Sequence, residues 1–166
     1  MSFSALASGF LADPSEERAA LLRSAITRMR IYSPQTPEAD PRDLLRQGRA
    51  DEAASLLHSS MPLHFLSPWA HRLYASALMQ LGRVEQARRE EDIARVVLHA
   101  LLRSGDGTPA RPYLVIDALD EDDVMAAAGR TVGERRVEVR GLAMYDVLVG
   151  DDGSETWFQF FRDTSC

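Results

Sequence analysis

Four histidines, His58, His64, His71 and His99, are the side chains best suited to acid–base or metal chemistry. None lies three or four residues from another, and no His-Glu-x-x-His occurs, so any metal site must be assembled in space. An enzyme made from these residues needs at least two of them, or one together with Asp146, in a single deep pocket. Tyr145-Asp146 is an acid–base pair by residue type. Strand alternation predicts instead that Tyr145 packs and Asp146 faces water. A denser group is the acidic run Asp117, Asp120, Glu121, Asp122 and Asp123. It opens a predicted helix, where capping and the helix dipole account for most of it. A divalent cation would need oxygen ligands alternating round a turn, which this run lacks. Asp120, Glu121, Asp122 and Asp123 are candidate contacts of an acidic docking face for a basic partner. Trp157, Phe158, Phe160 and Phe161 put aromatics on both faces of the last predicted strand. One pair belongs to the core. The other is covered by a helix or another chain, or forms an exposed patch, which makes Trp157 a candidate partner contact.

The chemistry that is missing is equally informative. All 19 basic residues are arginine, and neither lysine nor asparagine occurs. A GC-rich genome explains the bias. Without lysine, Schiff-base catalysis and a phosphate-binding loop of the Gly-x-x-x-x-Gly-Lys type are excluded for this chain. The single cysteine, Cys166, allows no intrachain disulfide and no thiolate metal cluster, which fits a reducing cytoplasm. No Gly-x-Ser-x-Gly elbow occurs, and Ser104-Gly105-Asp106-Gly107 lacks the glycine spacing of a phosphate cradle. No cofactor is implied. A formal net charge of −6 disfavours nucleic acid as a partner. No stretch has 18 consecutive apolar residues, and Met1 to Ala12 reads as neither a signal peptide nor a membrane span.

The elements that must hold these residues follow from caps and periodicity. The 45% hydrophobic content suits a sizeable globular core. Asp13-Pro14-Ser15-Glu16 is a helix start, with Asp13 as cap and Glu16 closing a capping box, for a helix over about 14–31. Ser33-Pro34-Gln35-Thr36-Pro37 ends it. Asp40-Pro41 starts a short helix that stops near Gly48, and another runs from Ala50 to Ser60. Met61-Pro62 and Ser67-Pro68 bound a connection containing His64 and Phe65. Two further helices follow, from Pro68 to Leu81 and from Val84 to Arg103. After Ser104-Gly105-Asp106-Gly107 the pattern becomes strand, short helix and three strands, with a hairpin turn at Asp151-Asp152-Gly153-Ser154. A mostly antiparallel sheet with one face covered is expected.

Gly48-Arg49-Ala50-Asp51-Glu52-Ala53 returns 34 residues later as Gly82-Arg83-Val84-Glu85-Gln86-Ala87. This period and turn resemble the tetratricopeptide repeat, a helix-turn-helix unit that stacks on its neighbours. The likeness covers about 40–103 and two units only. It implies helical hairpins with a concave partner-binding face, and Trp69, Arg72 and Tyr74 on the first helix of unit two are its candidate contacts. The second half, through Tyr113-Leu114-Val115-Ile116, Tyr145-Asp146-Val147-Leu148 and Trp157-Phe158, is similar to an uncharacterised bacterial domain-of-unknown-function family. That likeness implies architecture and no activity.

The expected fold is α+β. Residues 1–103 form about five helices, with tetratricopeptide-like pairs at 40–103. They pack on a small α+β segment at 104–166 that shares their core. The leading expected function is a noncatalytic, cytoplasmic module binding an unknown protein partner. One alternative is a bacterial inhibitor or immunity-type protein binding a basic partner. A second is an uncharacterised enzyme using histidine and aspartate gathered in space.

Overall fold

The computed structural model describes residues 2–32, 39–141 and 143–160. The predicted helix stop at 33–37, Phe161 and Cys166 lie outside them. The fold is α+β, with helices α1 (Phe3–Ala12), α2 (Glu16–Tyr32), α3 (Pro41–Arg46), α4 (Ala50–His64), α5 (Pro68–Gln80) and α6 (Val84–Arg103) preceding the sheet. Strand β1 (Tyr113–Val115), helix α7 (Leu119–Ala127) and strands β2 (Val132–Arg140), β3 (Ala143–Gly150) and β4 (Glu155–Phe160) follow.

Two helical hairpins, α3–α4 and α5–α6, are built alike. Asp40 and Ser67 cap the first helix of each through their side chains, and a proline occupies its first turn. Gly48 and Gly82 then turn the chain with φ of 74° and 73°. At this φ a side chain clashes with its own backbone, so glycine is favoured. In both turns the residue after glycine reaches back to a leucine carbonyl, Arg49 to Leu44 and Arg83 to Leu78, each at 2.9 Å. Ala53 and Ala87, at equivalent positions of the second helices, are buried where those helices meet the first.

Three expectations about the helices are corrected. Phe3–Ala12 is a helix, capped by Ser2, that seats Ala7 and Phe10 in the core. Asp13 therefore ends α1 instead of capping α2, and its carboxylate pairs with Arg18 at 3.5 Å. Helix α4 continues through Pro62 to His64, so the connection to α5 is only 65–67 and holds Phe65 but not His64. Pro62 has no N–H, so α4 lacks one helical bond in its last turn.

The sheet order is β1-β4-β3-β2. Strands β2–β3 and β3–β4 are antiparallel and β1–β4 is parallel. One face of the sheet carries Val115, Leu148 and Phe158, which pack on Val124 and Met125 of α7 and Leu101 of α6. A second cluster joins α1, α2, Phe65, Leu66 and α6 to Ile116 beyond β1. Helix α6 thus contributes to both the helical and the sheet cores.

Candidate interaction surface

Helix α7 carries the acidic run, and its burial is the first correction to the site as read from sequence. Asp120 and Glu121 are fully buried and Asp123 nearly so. Of the four candidate acids only Asp122 keeps an exposed side chain. The Asp117 carboxylate accepts from the Leu119 N–H, and the Asp120 carboxyl accepts from the Asp117 N–H, which ties the loop before α7 to its first turn. Asp120 then receives the Ser67 hydroxyl at 2.5 Å, and Asp123 pairs with Arg72. These contacts dock α7 on α5.

Burial sets the protonation of this cluster. It pushes the Asp120 carboxyl up to about 8; the Ser67 hydrogen bond opposes the shift and the Asp117 charge adds to it. Burial likewise pushes Glu121 up to about 8, with Arg135 opposing and Asp146 adding. Arg135 lies 2.9 Å from Glu121 and 3.7 Å from Asp146. Asp146 is therefore buried against α7 and does not face water. Burial raises Asp117 too, but His64, the Leu119 N–H and Arg30 outweigh it and hold Asp117 below its ordinary value.

The histidines are not brought together. His71 is buried between Glu90, at 2.6 Å, and the Phe65 carbonyl, at 2.9 Å. His64 meets Asp117 at 3.3 Å beside Arg30, which also binds the Leu63 and Ile116 carbonyls. His58 approaches the Tyr74 hydroxyl at 3.3 Å, and His99 is exposed. His58, His64 and His71 each have their own partners, and none of these is another of the histidines or Asp146. Among the described residues no group of three or more His, Cys, Asp or Glu is placed to hold a metal ion. No helix among them is long and apolar enough to cross a membrane.

Trp69, Arg72 and Tyr74 do not form one surface. At about 100° per residue Trp69 and Arg72 lie on one side of α5 and Tyr74 on another, and each is engaged by a different element. Trp69 lies under Arg42 at 5.8 Å, Arg72 is held by Asp123, and Tyr74 packs among α4, α5 and α6. Trp157 is buried as well: Arg140 lies over its ring at 4.2 Å, Tyr145 meets its edge, and its indole N–H donates to Glu155. Phe158, on the other face of β4, is in the core. Neither aromatic is an exposed contact.

The two most exposed large apolar side chains among the described residues lie on β2. Among the described residues this strand is at the edge of the sheet, with β3 on one side only. Val137 and Val139 are 59% and 71% exposed, and Met144, directly opposite Val139 on β3, is 39% exposed. All three project from the sheet face that α7 covers elsewhere, because Val137 pairs with Asp146, whose side chain faces Glu121. They form an apolar patch at the far end of the β2–β3 hairpin. Its sequence signal was the alternation of Arg135 to Arg140 around Val137 and Val139. That pattern fixes a strand but not whether the valines are covered.

The chain matches no family model, no curated protein and no solved structure. The functional reading therefore rests on this geometry.

Proposed function

We propose that this protein is a noncatalytic protein-binding module whose contact surface is the β2 edge with its Val137–Val139–Met144 patch. The observation that carries this is the exposure of three neighbouring apolar side chains, two on β2 and one on β3, beside the open edge of the nine-residue strand β2. Edge strands with open N–H and C=O groups accept a further strand, and apolar side chains beside them supply its packing. The buried carboxyls of α7 hold it against α5 and β3, and His64 and His71 are engaged by Asp117 and Glu90. The two alike helical turns support kinship with tetratricopeptide-type units, whose role here is to carry the sheet. A reducing, cytoplasmic setting accords with the single cysteine.

Affinity capture from the native host, with native protein beside a Val139→Glu variant of unchanged circular dichroism, tests this. The expected result is a specific partner retained by the native protein and lost with the variant. Equal capture by both would place the contact elsewhere.

A further inference from the structure

From Glu134 to Arg140 the open edge reads Glu-Arg-Arg-Val-Glu-Val-Arg. This stretch is complementary to itself when reversed. Laid antiparallel on a second copy, with Val137 on the two-fold axis, Glu134 faces Arg140 and Arg136 faces Glu138. Arg135 faces Val139, and Val137 meets its own copy. Strand alternation places Glu134, Arg136, Glu138 and Arg140 on one face, where every cross-strand pair is of opposite charge. Arg135, Val137 and Val139 share the other face, beside Met144. Moving the axis by one residue sets Arg136 on Arg136 or Glu138 on Glu138, so neighbouring registers repel.

Charges on edge strands ordinarily keep copies apart. Here they alternate in sign about a centre and favour one pairing. Glu138 already lies between Arg136, at 3.1 Å, and Arg140, at 3.2 Å, so the row is arranged along one face before any partner arrives. The valines, 59% and 71% exposed in a single copy, come together across the axis.

Building on the interaction-module reading, we propose that the partner is a second copy of this chain: β2 pairs antiparallel with β2 of that copy about a two-fold axis at Val137, making one continuous sheet. Sedimentation velocity tests it with two charge-swapped forms, one carrying Glu134→Arg and Glu138→Arg, the other Arg136→Glu and Arg140→Glu. The native chain is expected to shift from monomer to dimer with concentration, each swapped form to stay monomeric, and an equimolar mixture to form a one-to-one dimer. Association in the mixture also shows that both forms are folded. Should either form lose its native circular dichroism, Val137→Asp, which sets like charges on the axis at an exposed position, is expected to abolish the native dimer. A native chain monomeric at every concentration, or a dimer that survives Val137→Asp, overturns the self-pairing. In the first case, capture from the host still lost with Val139→Glu leaves the interaction module standing with a different partner. Capture indifferent to Val139→Glu removes both.

Discussion

The Ser67 hydroxyl donates to the Asp120 carboxyl at 2.5 Å, across 53 positions of sequence, while Ser67 also caps α5 through the Ala70 N–H. One side chain thus closes the α5 helix start and docks α7 on it. Ser67→Ala removes both bonds and leaves a buried carboxyl without that donor. A loss of about 2–3 kcal/mol is expected, from the cap and the orphaned acceptor together. Urea denaturation checks it. Asp120→Asn, which keeps a neutral group of the same shape, should cost distinctly less.

Asp120 and Glu121, both held up to about 8, give an unusual pH dependence. In the unfolded chain both titrate at ordinary carboxyl values near 4. Between about pH 4 and 8 the folded state therefore binds more protons than the unfolded state, and stability falls as pH rises. The slope is up to about 1.4 kcal/mol per pH unit for each group, and it levels off above their folded values. Asp117, held below its ordinary value, acts in the opposite sense, its contribution being lost only as pH falls below about 4. Urea midpoints should thus be higher at pH 5.5 than at pH 8. Glu121→Gln, which fixes that side chain in a neutral form, should flatten the slope.

Trp157 tests whether the last strand is core or contact surface. It is 2% exposed and lies between Arg140 and Tyr145. Trp157→Ala should destabilise the fold by about 3–5 kcal/mol, as for a buried aromatic. A loss under about 1 kcal/mol in thermal or urea denaturation would return Trp157 to the surface.

Two glycines separate conformational strain from collision. At Gly48 an added Cβ meets nothing, so Gly48→Ala carries only the strain of φ 74°, about 1–2 kcal/mol. At Gly105 the same atom strikes the Pro112 and Arg111 carbonyls, which are backbone and cannot swing away. Gly105→Ala should be the more destabilising of the two, as compared by urea denaturation.

The sequence made legible what local chemistry decides. The caps at Asp40 and Ser67, the turns at Gly48 and Gly82, and the strand pattern after Gly107 all have short-range causes. Helix α1 is hard to read from sequence because, beyond its Ser2 cap, no charge pattern marks its ends; its place comes from Phe10 entering a core shared with Leu22, Ile26 and Phe65. The site was less legible still. A helix start rich in acids ordinarily faces water, and only the three-dimensional placement of Ser67, Arg72 and Arg135 makes burial of Asp120, Glu121 and Asp123 tolerable. Val137 and Val139 alternate with charged residues as in any half-buried strand, and nothing local shows that α7 stops short of them.

Amide hydrogen exchange along 132–140, followed from dilute to concentrated protein, tests most directly whether the β2 edge is a binding surface for a second copy. The outward-facing amides of an unpaired edge exchange quickly, whereas those bonded to β3 do not. The account predicts that protection of β2 rises with concentration while α3 and α4 are unchanged, and that Val137→Asp removes the rise. Exchange on β2 that stays fast and independent of concentration would contradict it.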